Sequence, residues 1–364
     1  MKITIVAGAR PNFMKISPII KAIQKRNSLG AAIEYRLVHT GQHYDKKMSA
    51  DFFDQLGIPE PHANLEAGGG TQAEQTAAIM VRFEKELMEH RPNLILVVGD
   101  VTSTMACTIT AKKLCIDAVH VEAGIRSGDM TMPEEINRIV TDSITDHFFT
   151  TSEVANQHLR HSGVGEERIH FVGNTMIDSL IGNLERLLKP ALWDDQNLQS
   201  GKYFLLTLHR PANVDDPANL DHLLSTIMQC TGDLPVVFPV HPRTKKILDG
   251  IGFNNPKLVL AEPMPYLEFI YMVKNALAII TDSGGITEEA TVLGVPCMTM
   301  RDSTERPETI TMGTNELVGT DPAKLVPYLD KVMSGNWKKG AIPPLWDGKT
   351  AERIVSKLED LYIS

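Results

Sequence analysis

Five consecutive apolar residues, Leu94-Ile95-Leu96-Val97-Val98, constrain the fold more than any other feature of this chain. A strand with one face in water alternates polar and apolar residues, whereas an unbroken apolar run demands cover on both faces, as in a parallel sheet flanked by helices. Similar short runs recur at residues 3–6, 34–39, 118–121, 147–150 and 169–172. Longer stretches with helical spacing, such as 72–90 and 101–114, lie between them. That alternation predicts parallel βαβ units and an α/β fold. The same grammar restarts after about residue 174, with strands expected at 203–208, 235–240, 257–260, 276–280 and 297–300 and a helix at 220–229. Two doubly wound domains are therefore expected, 1–173 and 174–349, and 364 residues suit two domains of roughly 100–200 residues each. The final stretch, about 350–364, reads as an amphipathic helix that either closes the second domain or packs back on the first. Open parallel sheets bind ligands at the carboxyl ends of their strands, so the expected active site is the interdomain cleft.

Charge narrows the partners. Lys+Arg number 36 against 45 Asp+Glu, a net charge of −9, and the longest basic runs are pairs such as Lys46-Lys47 and Lys112-Lys113. A duplex-binding surface needs clustered positive charge, so nucleic acid is not expected. A phosphate-bearing ligand remains compatible, because backbone N–H groups and a few arginines suffice to hold one. Cys107, Cys115, Cys230 and Cys297 form no CxxC pair, so neither a disulfide framework nor a zinc site is expected, and reduced thiols fit a cytoplasmic protein. The apolar run before Arg10 and Pro11 is too short for a signal peptide or a membrane span. No membrane partner is expected, and a homodimer is.

The residues just past each strand are unusually polar. Gly8-Ala9-Arg10-Pro11-Asn12 follows the first strand, and Arg10 and Lys15 are placed to neutralise phosphate beside a helix start. The spacing is neither GxGxxG nor a Walker A loop, which disfavours a nicotinamide site. Asp100 and Glu122 end successive strands, and Glu134 opens an expected helix in the run Met132-Pro133-Glu134-Glu135-Ile136-Asn137-Arg138. Taken singly, Asp100 also reads as a helix cap and Glu134 as a first-turn acid favoured by the helix dipole. Taken together, the three read as acid–base carboxylates whose mutual repulsion would raise at least one pKa. No metal-ligand spacing accompanies them.

In the second half His209 follows a strand, as a base, an anion ligand or a structural hydrogen-bonder, and His241 is a similar case. The sharpest local signal is Thr281-Asp282-Ser283-Gly284-Gly285-Ile286-Thr287-Glu288-Glu289. A strand running into Ser283, Gly284 and Gly285 and then a helix exposes N–H groups to phosphate oxygens. Glu289 is placed for ribose hydroxyls, and Arg301 and Arg306 for the same phosphates.

These segments, with TGQHYD, VVGD, VEAGIRS, MPEEINR, VGNT, TLHRPANVD and RDSTERPE, resemble the non-hydrolysing UDP-N-acetylglucosamine 2-epimerases over residues 8–308. The resemblance implies two Rossmann-like halves of GT-B-like architecture. It also implies C2 epimerisation of UDP-GlcNAc to UDP-ManNAc by anti elimination of UDP through a 2-acetamidoglucal, for cell-surface polysaccharide synthesis, with no metal or other cofactor. By motif match, Asp100, Glu122 and Glu134 serve the sugar, and Arg138 and His209 serve catalysis or orientation. Arg10, Lys15, His209, Ser283, Gly284, Gly285, Glu289 and Arg306 fall on UDP-binding positions, with uracil read by backbone near 263–269. The loop between Glu122 and Glu134 is shorter than in some bacterial members. Related enzymes with the same motifs act on UDP-2,3-diacetamido-uronic acids, and a hydrolysing epimerase or a GT-B glycosyltransferase are further alternatives. Gln42, His43, Arg210 and His241 match a second, regulatory UDP-GlcNAc site of bacterial relatives. Asp45 and the arginine-free Gly68-Gly69-Gly70-Thr71 lead to the expectation of little or no such activation.

Overall fold

A computed structural model describes residues 1–41 and 57–363, with Arg10 described by its backbone alone. Seven strands form the first sheet: β1 (Lys2–Ala7), β2 (Glu34–His39), β3 (Ala63–Asn64), β4 (Leu94–Val98), β5 (Asp117–Val121), β6 (His147–Thr150) and β7 (Ile169–Phe171). They run parallel in the order β3-β2-β1-β4-β5-β6-β7. All five residues of β4 are buried, as an apolar run covered on both faces requires. The second sheet holds β8 (Phe204–Thr207), β9 (Val236–Pro239), β10 (Leu258–Ala261), β11 (Ala278–Thr281), β12 (Cys297–Thr299) and β13 (Asn315–Leu317). It is also parallel, in the order β10-β9-β8-β11-β12-β13.

Two doubly wound α/β units are thus present, the expected fold class. Each sheet reverses its strand order once, between β1 and β4 and between β8 and β11, and ligands of such sheets bind outside the carboxyl ends at that reversal. Strands β3 and β13, of two and three residues, were not anticipated, because runs so short carry no periodic signal. Among the described residues no helix is long and apolar enough to cross a membrane.

The first unit comprises Met1–Gly182 and Pro344–Ser364, and the second Asn183–Pro343. The first therefore runs past Gly173, and the helix Thr350–Tyr362 belongs to it. Two side chains of the helix Thr175–Asn183 give the physical reason. Ser179 donates its hydroxyl to the Met14 carbonyl. Buried Asp178 accepts the N–H groups of Thr350 (3.1 Å) and Ala351 (2.7 Å), satisfying two otherwise orphaned donors at that helix start. The helix Thr350–Tyr362 then lies along the helix Arg10–Ser28, with Lys25–Glu352 and Arg26–Glu359 ion pairs, both 2.7 Å. Trp346, 1% exposed, donates its indole N–H to the Thr151 carbonyl and anchors the returning chain.

Candidate active site

At the reversal point of the first sheet, Asn12 ties two strand ends together. Its side-chain oxygen accepts from Gly8 N–H (3.1 Å) and Ala9 N–H (2.9 Å), and its amide donates to the Val98 carbonyl of β4 (3.0 Å). One helical turn on, Lys15 reaches the same place. Its Nζ lies 2.6 Å from the Glu122 carboxylate, and a Cβ on Gly99 would sit 3.1 Å from that Nζ. Glu122 is 8% exposed and holds φ +73°, a left-handed conformation that costs a non-glycine residue of order 1 kcal/mol or more. Its N–H and the next are both bonded to the Phe149 carbonyl at the end of β6, which is what holds the turn.

Beside it, Asp100 follows Gly99 at the end of β4, in register with the end of β5. Its carboxylate accepts from the buried Arg138 guanidinium, and its carbonyl accepts from the Asn137 amide (2.8 Å). The expected repulsion between convergent acids is thus offset, because Asp100 carries Arg138 and Glu122 carries Lys15. Glu134, half-buried, stands in the first turn of the helix Pro133–Ile144, as expected.

Two carboxylates the sequence reading passed over hold this constellation in place. Glu135, 2% exposed, accepts from Arg138 (2.7 Å), from the Ser127 N–H and hydroxyl (2.9 Å each), and from Gly128 N–H (3.2 Å). Burial alone would raise its carboxyl, but these bonds more than offset that and hold it below the usual carboxylate range. Two turns along the same helix face, Asp142 accepts from His120 Nδ1 (2.8 Å), Arg126 (2.6 Å) and Gly124 N–H (3.1 Å). Burial again opposes ionisation, and the His120 and Arg126 bonds and charges outweigh it, so Asp142 is also held low. The other His120 nitrogen meets the Gly99 carbonyl at 2.8 Å. The helix Pro133–Ile144 therefore clamps the loop after Glu122 at two points.

In the second unit the counterpart reversal point gathers His209, at the end of β8, with Asp282 and Ser283, at the end of β11. Asp282 is fully buried and lies 2.6 Å from His209 Nδ1. Ser283 immediately precedes the helix Gly284–Leu293, whose first residues Gly284, Gly285 and Ile286 are half-buried, and its side chain makes no capping bond. Such a helix start offers free N–H groups and positive potential to an anion. Arg301 and Arg306, both buried, are held by Glu305 and Glu288 respectively.

Glu289, 4% exposed, accepts from the Tyr266 hydroxyl at 3.1 Å. Burial, with the Glu288 charge, pushes its carboxyl up to about 8 against the lowering effect of Tyr266. This raised acid lies in the second unit. Between about pH 4.5 and 8 the folded state keeps a proton that the unfolded state releases, so this group's contribution to stability falls as pH rises and levels off above about 8. A Gln at Glu289 is expected to erase that dependence. Thermal unfolding of the two ligand-free proteins from pH 5 to 9 should show the variant gaining on wild type by up to about 4 kcal/mol across that window. A constant difference would contradict the raised carboxyl.

The structure pairs Lys15 with Glu122 and Arg138 with Asp100 in one unit, with Glu134 on the same helix as Arg138. His209, Ser283, Gly284, Gly285 and Glu289 lie at or beyond the strand ends of the other. His241 is exposed and caps the helix Pro242–Ile251 through Arg243 N–H, and Arg210 N–H is bound by Asp282. Gln42, His43 and Asp45, and the Arg10 side chain, lie outside what is described. Glu135, Asp142, His120, Asn12, Tyr266 and Asp282 were missed as site residues. Asp282 and Asn12 carried a signal, their place just after an apolar strand, and Glu135 lay inside the run opened by Met132.

Sequence comparison matches residues 22–359 to the family described as UDP-N-acetylglucosamine 2-epimerase. The UDP-N-acetylglucosamine 2-epimerase of Methanocaldococcus jannaschii is 41% identical over 98% of both chains. The UDP-2,3-diacetamido-2,3-dideoxy-D-glucuronate 2-epimerase of Pseudomonas aeruginosa is 40% identical over 88% of both. The crystal structure of the M. jannaschii enzyme in complex with UDP-GlcNAc and UDP superposes with a TM-score of 0.86 at 41% identity, covering 99% of this chain and 100% of that one. Motifs, fold and whole-chain likeness agree, and this isomerase belongs to the UDP-N-acetylglucosamine 2-epimerase family.

Proposed function

We propose that this chain interconverts UDP-GlcNAc and UDP-ManNAc without metal or nicotinamide, by anti elimination of UDP and its readdition. A base takes the C2 proton, the C–H electron pair forms the C1=C2 bond, and the C1–O bond breaks to release UDP. Readdition of UDP at C1, with protonation of C2 from the other face, completes the inversion, and no water is consumed. The observation that carries this reading is the carboxylate pair at the first reversal point. Asp100 on Arg138 and Glu122 on Lys15 are two carboxyl groups each paired with its own cation, with Glu122 in a conformation the fold must enforce.

The C2 proton has no adjacent carbonyl to acidify it, so stabilising the leaving diphosphate carries much of the barrier. That work falls to the Ser283-Gly284-Gly285 helix start, His209, Arg10, Lys15 and Arg306, with Glu289 on the ribose. The M. jannaschii structure was solved with UDP-GlcNAc and UDP, which supports a UDP-sugar as the ligand. The product would feed cell-surface polysaccharide synthesis from the cytoplasm.

The test is an NMR time course with UDP-GlcNAc in heavy water. Solvent deuterium is expected at C2 of both epimers, with a little leaked UDP and glucal. Epimer formed without label would overturn proton abstraction, and stoichiometric free ManNAc with UDP would indicate a hydrolysing enzyme. A second reading, the same epimerisation of a UDP-2,3-diacetamido-uronic acid, is favoured by the 40% identity to the P. aeruginosa enzyme. Comparing kcat/KM for the two UDP-sugars decides between them.

A further inference from the structure

Asp282 is fully buried at the end of β11, and four donors crowd its two oxygens. His209 N–H approaches both oxygens at 3.0 and 3.2 Å, Arg210 N–H lies at 2.9 Å, and the Asn213 amide lies at 3.0 Å. The fourth is the His209 ring, whose Nδ1 lies 2.6 Å from Oδ1. Burial would raise this carboxyl, but the His209 hydrogen bond and charge, with Asn213 and Arg210 N–H, hold it below the usual range, so it stays an anion that only accepts. The His209 side chain is itself 60% exposed. One ring nitrogen is therefore committed to a buried anion, and the other, Nε2, is left for whatever occupies the space outside.

We propose that Asp282 is a positioning residue for His209, fixing the proton on Nδ1 and aiming Nε2 at the diphosphate of the nucleotide sugar. The proposal rests on the reading of His209 as a UDP-contacting group. An acceptor-only carboxylate at Nδ1 permits one neutral tautomer, with the lone pair on Nε2. When Nε2 donates to a phosphate oxygen the ring is cationic, and Asp282 supplies the counter-charge in contact with it. Asn213 completes the arrangement from the other side, bridging Asp282 to the Met300 carbonyl at 3.1 Å. Asp282 thereby locks the start of the β8 loop to the end of β11, and the ring cannot turn without breaking a buried bond. Partners that orient a metal-bound histidine typically change function by about 10–100-fold when removed, and a loss of the same order is expected for this histidine.

The decisive variant is Asp282→Asn, which keeps shape and backbone acceptor but can present an amide N–H to Nδ1. With ¹⁵N-histidine-labelled full-length protein, wild-type His209 is expected as the Nδ1–H tautomer and the variant as the Nε2–H tautomer. His209→Asn identifies the signal by its loss. With UDP-GlcNAc, D282N is expected to lose about 10–100-fold in kcat/KM, and H209N/D282N to lose no more than H209N alone. A merely structural Asp282 would cost the same factor in both backgrounds, and that outcome overturns the proposal. Should D282N fail to fold, the wild-type spectrum still decides, because an Nε2–H tautomer there overturns it. Wild-type turnover by H209N would instead overturn the reading of His209 on which the proposal rests.

Discussion

Asn in place of Asp100, or Gln in place of Glu122 or Glu134, is expected to lower kcat by about 10²–10⁴-fold, the range general acid–base groups contribute. The first two replacements keep the side-chain shape and an oxygen facing Arg138 or Lys15, so the local packing survives. What is lost is the basic oxygen and the charge. UDP affinity should change little, because the sugar-side acids make no assigned contact with the nucleotide. Arg10→Ala, by contrast, is expected to weaken UDP binding by about 1.5–3 kcal/mol, the value of a charge-assisted hydrogen bond, and Glu289→Ala, whose carboxyl is mostly protonated at neutral pH, by about 0.5–1.5 kcal/mol. Steady-state kinetics and UDP titration together check the division. Acid variants that bind UDP poorly yet turn over normally would overturn it.

The largest loss of stability is expected from Gly173→Ala. Gly173 holds φ +104°, which alanine adopts only under strain, and a Cβ there would lie 2.2 Å from the Leu345 carbonyl and 2.8 Å from the Thr350 hydroxyl. The obstacle is backbone, on the segment that returns from the second unit to the first, so it cannot swing aside as a side-chain end can. Strain and overpacking together should cost about 2–6 kcal/mol. In a unit of this size that lowers the melting temperature by about 10 °C. Gly182 supplies the control. It lies in the helix Thr175–Asn183, and a methyl group added there would meet nothing within 4 Å, so Gly182→Ala should raise stability by up to about 1 kcal/mol. Differential scanning calorimetry of both variants tests the contrast, and equal melting points would refute it.

Much of the fold was legible in the sequence because its signals are local. Strands β2, β4 and β6 lie where the apolar runs place them, and the helix Thr350–Tyr362 spans the expected residues. Candidate site positions could be picked out for a related reason. Parallel strands all present their carboxyl ends to one side, so Asp100, Glu122, His209 and Ser283 could be singled out by their position after an apolar run.

Other features were settled only by residues distant in sequence. The final helix was compatible with either unit. It joins the first because Asp178 accepts its opening N–H groups across more than 170 positions, and Trp346 docks on Thr151. Of the adjacent acids Glu134 and Glu135, neighbours on a helix point about 100° apart. Glu135 therefore turns inward to Arg138 and the 127–128 backbone, while Glu134 stays half-exposed. Asp282 stood beside Ser283 in the sharpest motif of the chain, but its partners His209, Arg210 and Asn213 come from the β8 end, about 70 residues earlier. Propensity and periodicity act over a few residues and determine which segments form strands and helices. The choice of which carboxylate meets which cation is made when those segments are packed, and burial then makes each such pairing obligatory.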